Sequence, residues 1–469
     1  MLSLGLTQYC LTRCAAVLRH THPIGNRFSG VFMSKWWWQM RQVSRKLWVR
    51  TSLIGSLGVT TALLAAFVER WIPWELPGFV SVSDIESLLT IIASSMLAVT
   101  TFSLGVMTSA YGAASSSVTP RATKLLMEDS ITQTVLSSFI GSFIFSIVGI
   151  IVLRFGAYGE RGRVVLFMVT IAVLAQIVVN LLRWINYLTS FGRMGETIGR
   201  VEAVTEVALQ QRLSEPYLGG HNWISPHAVP PGATVIGSGK VGYVQHIDMP
   251  ALSEAVQAMQ GQLYVAAPPG KHVFVDSPLA WLVCPASNPT TQTAPCSAED
   301  AAAQLRVHFT IGDERNFEQD PRFGLAVMCE IASRALSPAT NDPGTALDVI
   351  ARSTRLLSCW AQGLQARDAQ NIAVQYPQIW VPALSSQDLF EDAFMLMARD
   401  GAGLIEIQLR LQKSLAALAR QGNAEFRAAA QAQAELALAR VEQAMALEQD
   451  KQRLRYVVRA LQDRSNPAQ

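Results

Sequence analysis

Hydroxyl and amide side chains inside apolar runs are the first residues here with chemistry to offer. The stretch Leu88–Tyr111 carries Ser94, Ser95, Thr100, Thr101, Ser103, Thr108 and Ser109, and Ser115, Ser116 and Ser117 follow it. Thr101, Gly105, Ser109, Ala113 and Ser117 recur every four residues, so they share one face of a helix. Such a face has two uses. Hydroxyls lining a path replace part of an ion's hydration shell. Small residues also let two helix backbones approach closely. Ser138, Ser142 and Ser146 repeat the pattern in a later run, which favours packing between the two. Gln176 and Asn180 stand one turn apart in the next run. A buried amide needs a hydrogen-bond partner, so these two face other helices, as glue or as part of a solute path. The pore-facing or packing residues are thus Thr101, Ser103, Gly105, Ser109, Gln176 and Asn180. No Asp, Glu, Lys or His lies in the middle of these runs, which argues against proton-coupled transport.

A second constellation lies toward the C-terminus. Gln319, Asp320, Arg334, Ser337, Asn341, Asp342 and Thr345 make a polar patch around an expected helix-turn-helix. A small ion or anionic ligand fits the helix start near Gly344 and Thr345, where backbone N–H groups lack partners. Arg322, Arg334, Arg352 and Arg355 would add charge. The plainer reading makes Ser337 and Asp342 helix caps and Asn341 a turn former. Enzyme motifs are missing: no Gly-x-x-x-x-Gly-Lys-Ser/Thr, no His-Glu-x-x-His and no Gly-x-Ser-x-Gly. The seven His are scattered, and Cys284, Cys296, Cys329 and Cys359 lack zinc-like spacing. The expectation is no enzyme, no cofactor and no metal, with free thiols in a reducing compartment.

The elements that must position these residues begin with four charge-free runs: Thr51–Val68, Ser87–Pro120, Ile131–Leu153 and Val164–Leu182. Each approaches or exceeds the roughly 20 residues that a helix needs to cross a bilayer. The second turns polar late, which places its span at about Leu88–Tyr111. The chain is 50% hydrophobic and only 16% charged. An ordinary soluble domain carries about 25% charged residues, so a fully soluble enzyme is excluded. Lys and Arg concentrate on alternate flanks, ten on one side and four on the other. The positive-inside rule then puts both termini in the cytoplasm, with the four helices in an inner (plasma) membrane. Trp36, Trp37 and Trp38, with Trp71 and Trp74, suit an interfacial belt. Residues 1–32 lack a continuous apolar core for a signal peptide and read as a disordered tail or a misassigned start.

Residues 33–190 thus form a four-helix transmembrane domain. Residues 191–231 read as a connecting helix and linker, with helical spacing across Arg193–Arg212. Residues 191–469 hold 23 Lys and Arg against 28 Asp and Glu, so the balance turns acidic, and no nucleic-acid partner is expected. Residues 232–312 alternate as short strands, among them Gly239–Asp248, Leu263–Ala266, Leu279–Cys284 and Leu305–Ile311, and imply a small β-barrel-like cytoplasmic domain. Pro268–Leu279 resembles the hairpin of lipoyl- or biotinyl-like barrel domains, but an acceptor Lys at its tip is not evident, so no covalent cofactor is implied. Asn288–Ser297 is a Thr/Pro-rich loop. Residues 313–469 are helical: Pro321–Leu336, a helix opened by Asp342-Pro343-Gly344, and the long segments Ser386–Arg420 and Asn423–Leu461, an antiparallel pair suited to oligomerisation.

Two further strings narrow the reading. One is Arg315-Asn-Phe-Glu-Gln-Asp-Pro-Arg-Phe-Gly324, continued by Ala335-Leu-Ser-Pro-Ala-Thr-Asn-Asp-Pro-Gly-Thr-Ala346. The other is Ala114-Ser-Ser-Ser-Val-Thr-Pro-Arg121, where Thr119 stands in place of the more usual Ser. With the N-terminal helices, they make a chain that resembles the bacterial predicted membrane proteins grouped as domain of unknown function 2254. On that resemblance the motif residues are Thr119, Pro120, Arg121, Gln319, Asp320, Ser337, Pro338, Asn341, Asp342, Pro343 and Thr345. It implies an integral membrane protein and no particular reaction. Two functions fit the residues: a channel-like or solute-transporting homo-oligomer regulated by its cytoplasmic part, or a membrane anchor whose soluble part binds a ligand or partner.

Overall fold

The computed structural model describes residues 47–68, 81–127, 129–156, 158–189, 193–226, 228–284, 298–368 and 373–463. The expected tail 1–32, the Trp belt and the Asn288–Ser297 loop lie outside the described residues. The chain divides into two compact units at Arg200/Val201.

The first unit is a helical bundle. Its helices are α1 (Leu47–Val68), α2 (Val82–Ser117), the short α3 (Pro120–Met127), α4 (Ser130–Arg154) and α5 (Glu160–Leu188), and α6 (Met194–Ser214) begins here. Among the described residues, three segments are long and apolar enough to cross a membrane: Val82–Ser115, Ile131–Arg154 and Glu160–Leu188. α4 is the central helix, packed against α1, α2 and α5. Glycine lets α1 close on it. A Cβ on Gly141 would lie 2.6 Å from Ile54 Cγ2, and one on Gly58 would lie 3.0 Å from the Gly141 carbonyl. α2, α4 and α5 share an apolar core that includes Met96, Phe139, Ile177 and Trp184. A second cluster, with Leu89, Phe145, Tyr158 and Leu166, lies further along the same helices.

Local signals set the ends. Asp129 caps α4 by accepting from the Thr132 N–H at 3.0 Å. α2 continues past Tyr111 to Ser117, further than its expected span, because helical bonding persists until Val118 donates to the Ala114 carbonyl. Thr119 then accepts from the Ala122 N–H at 3.3 Å, and Pro120 takes the first helical position of α3, where a missing N–H costs nothing.

The second unit is α+β, and the expected barrel is replaced by two open sheets. One has the order β1 (His221–Asn222), β8 (Ile379–Val381), β4 (Gln262–Val265), β6 (Pro278–Val283), β2 (Thr234–Gly237). The other is β5 (His272–Val273), β3 (Gly242–Ile247), β7 (Phe309–Gly312). The reason is visible in the connections. Helices α7 (Met249–Ala258) and α8 (Ala298–Arg306) interrupt the strands, and β1 and β8 come from outside the expected strand region. The edges β1 and β2 never meet, so nothing closes. The expected strand Leu305–Ile311 begins instead as the end of Ala-rich α8. The inner faces pack Ile236, Val244, Leu252, Leu263, Leu282, Phe309 and Ile379 into one core.

The rest is helical: α9 (Pro321–Ala335), α10 (Pro343–Asp368), α11 (Ser386–Asp400), α12 (Ile405–Leu418), α13 (Ala424–Ala444) and α14 (Glu448–Asp463). Each of the two expected long helices is broken. Gly401 ends α11, donating to the Met397 carbonyl where a Cβ would lie 2.6 Å from Ile407 Cγ2. Met445 ends α13 by turning extended, at ψ 123°.

Candidate functional site

The bundle separates the polar residues of its helices into two groups. Ser138 of α4 accepts from Asn180 Nδ2 at 2.7 Å and from Gln176 Nε2 at 3.5 Å, so both amides of α5 reach the same hydroxyl. Asn180 and Ser138 are buried. The α2 residues do not join them. Thr101 and Ser109 are exposed, and nothing lies within 4 Å of a Cβ built on Gly105 or on Gly112. Ser103, on another face of α2, is fully buried, and its Oγ has no partner among the described residues. The other hydroxyls turn back on their own helix: Thr100 bonds the Met96 carbonyl at 2.6 Å, Thr101 the Leu97 carbonyl at 2.9 Å, and Thr108 the Leu104 carbonyl at 2.9 Å. Thr101, Gly105 and Ser109 of the four-residue stripe are therefore exposed among the described residues, and do not pack against α4.

At one end of the bundle the fold brings together charges that sequence reasoning missed. Arg200 of α6 donates to Asp129 at 2.8 Å and to the Tyr187 hydroxyl at 3.1 Å, and its guanidinium lies 5.5 Å from the Tyr187 ring centre. Asp129 also caps α4. Its partner lies 71 residues away, and no local signal names it.

The C-terminal motif residues fall in two places and not in one patch. Gln319 and Asp320 stand at the start of α9. Gln319 accepts from the Ile247 N–H at 3.0 Å, and its carbonyl accepts from Arg212 Nη2 at 3.1 Å. Asp320 is buried. It accepts from Arg315 at 2.7 and 3.0 Å and caps α9 through the Phe323 N–H at 3.2 Å. A Cβ on Gly270, at φ +92°, would lie 2.2 Å from Asp320 Oδ2, so the hairpin tip closes directly over the carboxylate. Ser337, Pro338, Asn341, Asp342, Pro343 and Thr345 lie beyond the other end of α9, roughly 22 Å away at 1.5 Å per residue. There Asn341 is left-handed at φ +47° and donates to the Ser337 carbonyl at 2.8 Å. Asp342 accepts from the Thr345 N–H at 3.1 Å and from its hydroxyl at 2.6 Å. The Thr345 hydroxyl, then its N–H, hold the Asp342 carboxyl below the usual carboxylate range.

This geometry changes the anion reading at Gly344 and Thr345, because the Asp342 carboxylate already occupies the Thr345 N–H. Most of the arginines expected to help are also committed. Arg322 pairs with Asp388 and with Asp392, the latter at 2.6 Å. Arg352 and Arg355 both bind Glu202, at 2.7 and 2.5 Å. Arg334 is exposed, as is Arg121 at the start of α3. Among the described residues, no group of three or more His, Cys, Asp or Glu is placed to hold a metal.

Comparison with known proteins gives one family. The predicted membrane protein family DUF2254 matches residues 44–417. An uncharacterized protein of Mycobacterium bovis and one of Mycobacterium tuberculosis are each similar to the chain, at 26% identity over 304 residues, 64% of its length. The chain spans 57% of the length of those curated relatives. No solved structure matches it.

Proposed function

The chain belongs to the predicted membrane protein family DUF2254, and on that premise we propose a channel-like homo-oligomer of the bacterial inner membrane, regulated by its C-terminal unit. In this reading α1 crosses the bilayer with the three longer helices, and both termini are cytoplasmic. One observation carries the proposal. The Thr101, Gly105 and Ser109 face of α2 is exposed, and nothing among the described residues lies within 4 Å of a Cβ built on Gly105. Lipid packs poorly on such a strip, whereas a second copy or a line of solute fits it.

The second reading is a non-transporting anchor with the same oligomer seam. It is favoured by Thr101 and Thr108, whose hydroxyls already donate to their own backbone and keep only acceptor capacity for a passing ion. One set of measurements separates the two. Ser109→Cys should cross-link between copies in membranes, and purified protein in liposomes should pass small ions in a way that Gly105→Leu blocks. Cross-linking without flux of any common ion, over several potentials, selects the anchor. Neither cross-link nor flux defeats both. A C-terminal reporter active only in the periplasm should stay silent, and a strong signal would reverse the orientation.

A further inference from the structure

The C-terminal unit contains a cavity of about 40 Å³. Its lining includes Arg212 of α6, Tyr217 of the turn that follows, Trp360 of α10, Ser386 at the start of α11, and Asn423 and Glu425 at the start of α13. That volume holds on the order of three water-sized groups.

Two donor groups of this wall have fewer acceptors than they have hydrogens to give. Arg212 is only 8% exposed. Among the described residues its guanidinium makes a single hydrogen bond, to the Gln319 carbonyl at 3.1 Å, and no ion pair. Asp320 and Glu215 act on it through space, but Asp320 is held by Arg315 and by its cap. Burial pulls the guanidinium down to about 10, and outweighs the nearby Asp320 and Glu215 carboxylates, which act the other way. Trp360 is 3% exposed, and its indole N–H is buried with no acceptor among the described residues. Stranded donors of this kind are costly unless something else accepts from them.

The surroundings favour negative charge. α11 and α13 both begin at the cavity, each with the positive end of its dipole. Glu425 is the one carboxylate of the wall, and it is exposed and already accepts from the Ser386 N–H at 3.0 Å. Tyr217 and the adjoining Leu218 sit at φ 55°, a left-handed pair without glycine. Backbone held in that region costs energy and tends to mark functional walls.

We propose that this cavity binds a small oxyanion, the carboxylate or phosphate group of a small metabolite, with Arg212 supplying the charge and the Trp360 indole a second donor. The site stands whether or not α2 lines a path. It also differs from the helix start at Thr345, where a side chain of the protein fills the anion position.

The test uses the full chain in detergent or nanodiscs, with inorganic phosphate and acetate as separate probes and chloride at matched ionic strength as reference. At least one probe should raise the unfolding temperature saturably, and the stronger arm tells phosphate from carboxylate. Trp360→Phe keeps the ring and removes the N–H. It should weaken the midpoint roughly five- to tenfold, the loss of about one hydrogen bond. Arg212→Gln should abolish the effect. No saturable shift with either probe, or a shift that Trp360→Phe leaves unchanged, overturns the proposal.

Discussion

In the membrane bundle, polar side chains mostly bond their own helix. Thr100, Thr101, Thr108 and Thr170 each donate to the carbonyl four residues back. In the C-terminal unit the strong polar contacts join residues far apart in the chain. Arg322 reaches Asp388 and Asp392, and Glu202 gathers Arg352 and Arg355 across about 150 residues. The difference follows from solvent. In hydrocarbon an unpaired hydroxyl is penalised, and the nearest carbonyl cures it without any tertiary fit. Such bonds hold no two helices together. The bundle relies on close glycine contacts and on a few interhelical polar contacts, among them Asn180 to Ser138, Thr51 with Ser137 and Arg154 to Glu86. The C-terminal unit, by contrast, can spend charge on joining its helices, provided both partners are placed.

Three substitutions bear on this contrast, from the largest expected effect to the smallest. Asp320→Ala leaves Arg315 without its buried partner and α9 without its cap. It should lower stability by about 3–5 kcal/mol, read by denaturant unfolding of the purified chain. A loss under 1 kcal/mol would mean that charge does not hold this unit together. Asp342→Ala removes an ordinary cap and should cost about 1 kcal/mol near neutral pH. The Asp342 carboxyl is held low in the folded state, so its contribution is complete above its unfolded value of about 3.9. That contribution fades as pH falls through the lower folded value. Wild type and variant should therefore differ by a constant amount between pH 5 and 8 and converge in acid. A gap that opens with acid would contradict the cap. Asn180→Leu should cost the bundle only about 0.6 kcal/mol in SDS titration, near the average for interhelical bonds in membranes. A loss of 3 kcal/mol there would erase the contrast between the two units.

The legibility of the sequence divides along similar lines. The apolar runs at 131–153 and 164–182 stand as α4 and α5 because hydrocarbon demands a helix wherever twenty apolar residues run together. One of the two expected caps stands: Asp342 accepts from the Thr345 N–H, whereas the Ser337 hydroxyl bonds Thr340. The barrel expectation failed because alternation in a strand says which face is buried and nothing about which strand is its neighbour. β8 lies about 115 residues from β4 in sequence, yet it sits between β4 and β1. The polar patch failed for a related reason, since α9 carries Asp320 and Asp342 to opposite ends of itself. Arg212 gave no signal in a helix with an ordinary mixture of charges. Only its neighbours make it a buried cation with a single hydrogen bond among the described residues.

The sequence by itself determined which segments are apolar enough to cross a membrane, where some of the helices start, and the shared motif strings Arg315–Gly324 and Ala335–Ala346. Each is a local matter, settled by transfer of a single segment or by a bond within one turn. The tertiary structure decided the rest. It turned Asn180 inward and left Thr101, Gly105 and Ser109 open. It filled the Thr345 N–H with Asp342, and it enclosed Arg212 and Trp360 around one empty volume. Those outcomes depend on packing between distant segments, which no spacing along the chain encodes.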